Sequence, residues 1–284
     1  MNATYLRFPG GKSKVLTLSY DDGVEQDIRM IELLNKHGIK CTFNINGGVF
    51  APEGTVYEQG KVHRRMTKKQ CYELYAESGH EVAIHAYTHP HLESLPASMV
   101  AMEIFEDRKC LEETFGRVIK GMAYPYGTYN DTVVEVLKNS GVAYARTTVS
   151  TEKFGMPTDW LRLPGTCHHN NKRLMELAEK FVGMEVSANP QMFYLWGHTY
   201  EFEANDNWNV IEEFCEYIGG KDDIWYATNI EIYDYVQAYN RLEWAADASR
   251  VHNPSAMSVW VKFAKHGEKS RTLEIKAGET LKLF

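Results

Sequence analysis

The stretch LTLSYDDGVEQD, Leu16–Asp27, sets the reading of the whole chain. Val15–Tyr20 is an apolar run of strand length, and it ends in two adjacent aspartates, Asp21 and Asp22. Neighbouring strand residues point to opposite faces, so a simple ion pair would need only one of the two carboxylates. The next segment, DIRMIELLNKHG, carries apolar residues at Ile28, Ile31, Leu33 and Leu34 and a glycine stop at Gly38, the pattern of a helix. Strand, paired carboxylates, helix: the unit then repeats without the carboxylates.

Working outward, IKCTFNI (Ile39–Ile45) reads as the next strand, and TKKQCYELYAESG as a helix capped by Thr67 and stopped near Gly79. HEVAIHA, KGMAYP, VAYART and MFYLWGH follow as strands, and LRLPGT as a short strand or bend. Helical patterns lie between them: a long one after Pro96, then NDTVVEVLKNSG, NKRLMELAEKFVG and NWNVIEEFCEYIGG. DIWYAT and NIEIYDYVQAYNRLEW close the series. Repeated alternation of this kind implies a parallel sheet, and so many units predict a distorted (β/α) barrel of seven to eight parallel strands over residues 1–246. An open doubly wound sheet is the alternative. In both, ligands sit at the C-terminal ends of strands, where Asp21 and Asp22 fall. The tail differs: SAMSVWVKFA alternates strictly, and RTLEIKAGETLKLF offers two short strands around Gly278. Residues 247–284 are therefore expected to form a small antiparallel β-appendage packed on the barrel.

Composition narrows the function. The 284 residues are 44% hydrophobic and 24% charged, an ordinary globular balance, and the net charge of −7 with no basic block argues against a nucleic-acid partner. The 17 Tyr and 6 Trp read first as core, with sugar-stacking platforms as the functional reading. The five cysteines are odd in number, widely spaced and without a CxxC, which fits a reducing compartment better than a disulfide framework. The opening segment MNATYLRFPGGKSK lacks the apolar core of a signal peptide, and no run of about 18 apolar residues spans a bilayer. The chain as given reads as cytoplasmic, without a membrane partner. Homo-oligomerisation is left open.

The chemistry-bearing segments are few. AIHAYTHPHL places His85 and His89 at H-x3-H spacing at the end of a strand, with His91 as a rim imidazole. Two imidazoles and one carboxylate make a three-ligand set with room for water, suited to zinc or another divalent transition metal. One aspartate would bind the ion, and its neighbour would be left for proton transfer.

At this point the chain resembles the polysaccharide deacetylase family, carbohydrate esterase family 4, with its NodB-type domain. TLSYDDG is similar to the family's T-F-D-D, and HAYTH matches H-[ST]-x-x-H with Ala86 in the Ser/Thr position. AYPYG is similar to R-x-P-Y, TDW (Thr158–Trp160) to the fourth motif, and LWGH (Leu195–His198) to L-x-H lengthened by one residue. The motifs run in family order over about Val15–Thr199.

The resemblance implies Asp21 as general base and Asp22, His85 and His89 as metal ligands. It implies an oxyanion contact from the Tyr126 N–H, and His198 as general acid tuned by Asp159. Trp160 would wall the pocket, with Tyr126 and Trp196 as further substrate contacts. The arginine of the third motif is missing, since Ala123 stands in its place. Arg146 or Arg162 could reach in from a neighbouring strand, and Arg146 is favoured, against an ordinary ion-pair role. The implied activity is removal of an acetyl group from an N-acetylated, or O-acetylated, sugar or oligosaccharide. The cofactor would be a divalent metal, zinc first, with Co, Ni, Mn or Fe also accommodated. Alternatives are hydrolysis of another C–N bond (formamide, cyclic amide or ureide) in a small amide substrate, and a catalytically silent carbohydrate-binding protein.

Overall fold

The computed structural model describes residues 3–264 and 269–284. Strands and helices run in the order β1 (Ala3–Arg7), β2 (Lys14–Asp21), α1 (Asp27–Lys36), β3 (Cys41–Ile45), α2 (Lys68–Tyr75), β4 (Glu81–Ile84), α3 (Ala97–Phe115), β5 (Gly121–Ala123), α4 (Asp131–Asn139) and β6 (Tyr144–Ser150). The chain continues through β7 (Leu163–Gly165), β8 (Cys167–His168), α5 (Leu174–Gly183), β9 (Gln191–Gly197), α6 (Tyr200–Ala204), α7 (Trp208–Ile218), β10 (Ile224–Tyr226) and α8 (Asn229–Asn240). It ends in β11 (Glu243–Trp244), β12 (Arg250–His252), β13 (Val259–Ala264), β14 (Arg271–Ile275) and β15 (Thr280–Lys282).

The central sheet is parallel and runs β7-β6-β5-β4-β3-β2-β9-β8. Its two ends belong to one stretch of chain. Leu163 pairs with Arg146 on β6, while Cys167 pairs with Leu195 on β9, so residues 163–168 bridge both edges and close the sheet into a barrel. The N-terminal half of β2 pairs with β10 on the edge that its C-terminal half gives to β3. The barrel is thus distorted, with seven strand positions in the ring and β10 as a short eighth.

Strand periodicity sorts the side chains of β2. Leu16, Leu18 and Tyr20 join the large apolar core beneath the helices, with Met30, Leu34, Phe43, Phe193 and Phe214. Thr17, Ser19 and Asp21 face the polar interior: Thr17 donates to Asn229 Oδ1 at 2.7 Å, and Ser19 Oγ and Asp21 Oδ1 each accept from Asn44 Nδ2 at 2.8 Å. Capping fixes the flanking helices. Thr67 and Gln70 form a capping box on α2, Thr228 and Glu231 another on α8, and Asn130 accepts the Val133 N–H at the start of α4.

The antiparallel strands of the tail recruit the start of the chain, which the sequence did not announce as a strand. β1 pairs with β13 from Ala3↔Ala264 to Arg7↔Trp260, and β14 flanks β13 on the other side. β11, β12 and β15 make a second small sheet. The Tyr235 hydroxyl on α8 donates to Arg7 O at 2.7 Å and accepts the Trp260 N–H at 2.9 Å, tying these strands to the barrel. Strands from both sides of the expected boundary at 246/247 take part. All five cysteines are free thiols. No helix among the described residues is long and apolar enough to cross a membrane.

Candidate active site

Asp21 ends β2 inside the barrel, 3% exposed. Asn44 binds one of its carboxylate oxygens, and the Arg146 guanidinium from β6 binds the other. Arg146 is itself buried, with its guanidinium carbon 4.7 Å over the Trp196 ring. Burial pushes the Asp21 carboxyl up, but Arg146, His85 and His198 together outweigh it and hold it below its ordinary value.

Asp22 leaves the strand in a left-handed conformation, φ +88°. Its ligand-bearing neighbours come from the segment after β4. The ring of His85, 1% exposed, gives its Nδ1 proton to Ala123 O at 2.7 Å, which leaves Nε2 with a free lone pair. The donor atoms of Asp22, His85 and His89 all lie within 4.8 Å of one another. Burial, reinforced by His85, pushes the His89 imidazole down to about 4, so it is neutral at ordinary pH. Burial opposes ionisation of Asp22, yet His63, His85 and Arg65 hold its carboxyl far below the carboxylate range. Two neutral imidazoles and one carboxylate, whose oxygens also meet Arg65 and His63, fit a divalent transition ion. Ala86, His89 and Tyr126 share the positive φ of Asp22, so four non-glycine residues in left-handed backbone gather at this end of the barrel.

Tyr126 lies at the rim, 54% exposed. Its ring is 4.6 Å from that of His89 and stacks on His91 at 4.0 Å. His198 follows β9 and places Nε2 3.8 Å from Asp21 Oδ2. The site therefore gathers Asp21, Asp22, His85, His89, Tyr126 and His198 from the C-terminal ends of four strands, with Arg146 reaching in from within β6.

Three sequence expectations are corrected. The carboxylate facing His198 is Glu201, not Asp159: His198 Nδ1 lies 2.9 Å from Glu201 Oε1. Asp159 instead accepts the Leu161 N–H at 3.0 Å and pairs with Arg162 at 2.8 Å, closing its own turn. Trp160 does not wall the site. It meets Tyr233 of α8 edge-on at 5.2 Å and packs in the cluster of Leu163, Met192 and Ile232. Trp196 is a buried floor under Arg146, edge-on to His168, rather than a substrate surface. Arg162, the other candidate arginine, is taken up by Asp131 and Asp159.

Glu201 is a hub that the sequence reading missed. It lies near His198, His169 (2.9 Å) and His168 (3.4 Å), and accepts Asn170 Nδ2 at 2.9 Å. Its signal was the His-x-x-Glu spacing at the start of α6, which puts positions i and i+3 on one face. Donor atoms of His168, His198 and Glu201 also fall within 4.8 Å. The Asn170 N–H, however, donates to His168 Nδ1, so the His168 proton sits on Nε2, toward Glu201. That is a hydrogen-bonded cluster, not a cation cage. Gly197 makes room for it, since a Cβ there would meet His169 Nδ1 at 2.0 Å. The lengthened LWGH motif thus has a packing reason. His63 and Arg65 were missed as well. They reach Asp22 from the long segment between β3 and α2.

With this geometry established, comparison with known proteins places the chain. Residues 7–145 match the family model Polysaccharide deacetylase. The peptidoglycan-N-acetylglucosamine deacetylase PgdA of Listeria monocytogenes is 26% identical over 142 residues, 49% of this chain and 27% of that protein. The chitooligosaccharide deacetylase of Sinorhizobium fredii is 26% identical over 151 residues, 52% of this chain and 60% of that protein. The matches therefore span less than two thirds of either relative's length. The fold is shared with a putative polysaccharide deacetylase from Mycobacterium smegmatis, at TM-score 0.56 and 15% identity over 84% of this chain and 95% of the other. It is shared also with the Bc1960 peptidoglycan N-acetylglucosamine deacetylase, at TM-score 0.51 and 14% identity over 81% and 92%. An α/β barrel with paired carboxylates and histidines at its C-terminal rim is the class defined. Within that class, residues 7–145 of the chain are similar to the polysaccharide deacetylase family.

Proposed function

We propose that this protein is a divalent-metal-dependent hydrolase that removes the acetyl group from the nitrogen of an N-acetylated amino sugar in an oligosaccharide. The observation that carries the reading is the convergence of Asp22, His85 and His89 within 4.8 Å, next to the buried carboxylate of Asp21 and to His198, whose Nε2 lies 3.8 Å from that carboxylate. Held by Asp22 and the Nε2 atoms of His85 and His89, a zinc or similar ion would supply the Lewis acidity that polarises the acetyl carbonyl and acidifies a water. Asp21 takes the proton of the attacking water. Arg146 and Asn44 each fix one of its oxygens, so it acts from one rotamer. His198, kept with a proton on Nδ1 by Glu201, presents Nε2 on the Asp21 side and delivers a proton to the departing amine. The stacked Tyr126–His91 pair at the rim offers a flat face for a pyranose ring. Relatives named for peptidoglycan and chitooligosaccharides support the sugar assignment.

The test is an acetate-release screen over N- and O-acetylated sugars, chito-oligosaccharides and simple formamides, with metal-stripped protein and with Zn²⁺ or Co²⁺ restored. Acetate from N-acetylglucosamine oligomers only after restoration supports the reading. Release of formate or ammonia instead, or no hydrolysis with metal restored, overturns it.

The pairing of His198 sets a pH expectation. Burial lowers its pKa, but Glu201, Asp21 and Asp22 raise it above the ordinary value. The protonated acid is needed for turnover, so the rate falls as pH rises through this raised pKa. Glu201→Gln removes the strongest of these supports. The alkaline limb of the kcat/KM profile is expected to move to lower pH, with kcat reduced. An unmoved limb would assign Glu201 a packing role alone.

A further inference from the structure

Asn46 follows β3 and is 1% exposed, yet no step above uses it. Its Nδ2 donates to the carbonyl oxygen of His85 and to that of Ala86, the latter at 2.7 Å. Its Oδ1 accepts from Arg65 Nη1 at 2.9 Å. The same Arg65 nitrogen donates to Asp22 O at 2.8 Å, and Nη2 to Asp22 Oδ1 at 3.0 Å. Every hydrogen of the Asn46 amide and of Arg65 Nη1 is thereby used. Two of the three carbonyls they hold belong to residues in left-handed backbone, Asp22 at φ +88° and Ala86 at φ +60°. Left-handed backbone is strained for a non-glycine residue and persists only where the surroundings over-determine it.

We propose that Asn46 and Arg65 form a clamp that preorganises the cation site. The clamp ties the turn after β2, which bears Asp22, to the turn after β4, which bears His85 and leads to His89. It rests on the metal reading given above and adds to it the residues that position the ligands. Both are positioning residues: Asn46 touches only backbone and Arg65, and Arg65 acts through Asp22. The arrangement also ties the long segment between β3 and α2 to the ligand turns, through Arg65 and through the His63 contact to Asp22 Oδ2 at 3.2 Å.

The two members are not equivalent as probes. The Arg65 charge lies beside Asp22 Oδ1 and opposes an incoming cation, so its removal mixes lost order with relieved repulsion. Asn46 is neutral, and Asn46→Ala removes the clamp alone.

The test is a Co²⁺ titration of the metal-stripped full chain, followed by visible absorption and by chelator competition, with thermal melting as a check on folding. Asn46→Ala is expected to weaken Co²⁺ binding by roughly 10- to 100-fold, the usual effect of removing an outer support of a ligand. Undiminished affinity in a folded Asn46→Ala protein overturns the clamp. Should Asn46→Ala not fold, Arg65→Gln decides by amide hydrogen exchange of the metal-free protein. Faster exchange around Asp22–Val24 and His85–His89 is expected, and unchanged exchange overturns the proposal. A wild-type chain that takes up no Co²⁺ removes the metal reading itself, a distinct result, and the exchange measurement then decides whether the clamp holds the two turns.

Discussion

Asp21→Asn is expected to lower acetate release by about 10²- to 10⁴-fold, the usual worth of a positioned general base. Binding of the divalent ion is expected to persist, because the ligands proposed for it are Asp22, His85 and His89. The two effects separate because Asp21 and Asp22 leave β2 in different directions. Asp21 is the last residue of the strand and faces the interior, while Asp22 turns away at positive φ. The substitution keeps the shape and the Asn44 contact but removes the charge that accepts a proton. Rate assays and Co²⁺ titration of the same preparation check the prediction. A rate near that of the wild type would leave Asp21 as a structural partner of Arg146.

Arg146→Ala is expected to lose both turnover and stability. Arg146 and Asp21 are 1% and 3% exposed, so removing the guanidinium leaves a buried carboxylate without the cation that hydrogen-bonds it directly. Breaking a buried pair in this way typically costs about 3–5 kcal/mol. The Asp21 carboxyl would then rise toward neutrality, since burial already pushes it up and Arg146 is the first of the opposing charges. The diagnostic is the double variant. Asp21→Asn with Arg146→Met removes both charges together, and its urea midpoint is expected to recover most of the loss seen in Arg146→Ala. Turnover should stay absent. Two independent, additive losses of stability would show that the ion pair is not what Arg146 contributes.

Much of this was legible in the chain, for local reasons. The apolar run Val15–Tyr20, the capping residue Thr67 and the repeated strand–helix units all act over a few residues. The barrel follows from their sum. Asp21, Asp22, His85 and His89 were legible because each lies at or shortly after the end of a strand of a parallel barrel, and such ends converge. Arg146 was found by asking what could replace a missing positive charge.

The misses share a cause. Asn46, Arg65 and His63 reach the site from the long segment after β3, where no periodicity says which way a side chain points, and Glu201 lies on a helix of only five residues, too short to show a pattern. Asp159 and Trp160 were assigned by motif position, and both are spent locally, on Arg162 and Tyr233. β1 was missed because its pairing partner, β13, lies at the other end of the sequence.

The central claim is that Asp22, His85 and His89 share one divalent ion. Anomalous scattering at the zinc edge, from crystals grown with Zn²⁺, tests it most directly. The account predicts one strong peak about 2.0–2.2 Å from an Asp22 carboxylate oxygen and from Nε2 of both His85 and His89. No peak there, or a dominant peak in the His168–His198–Glu201 cluster instead, would contradict it.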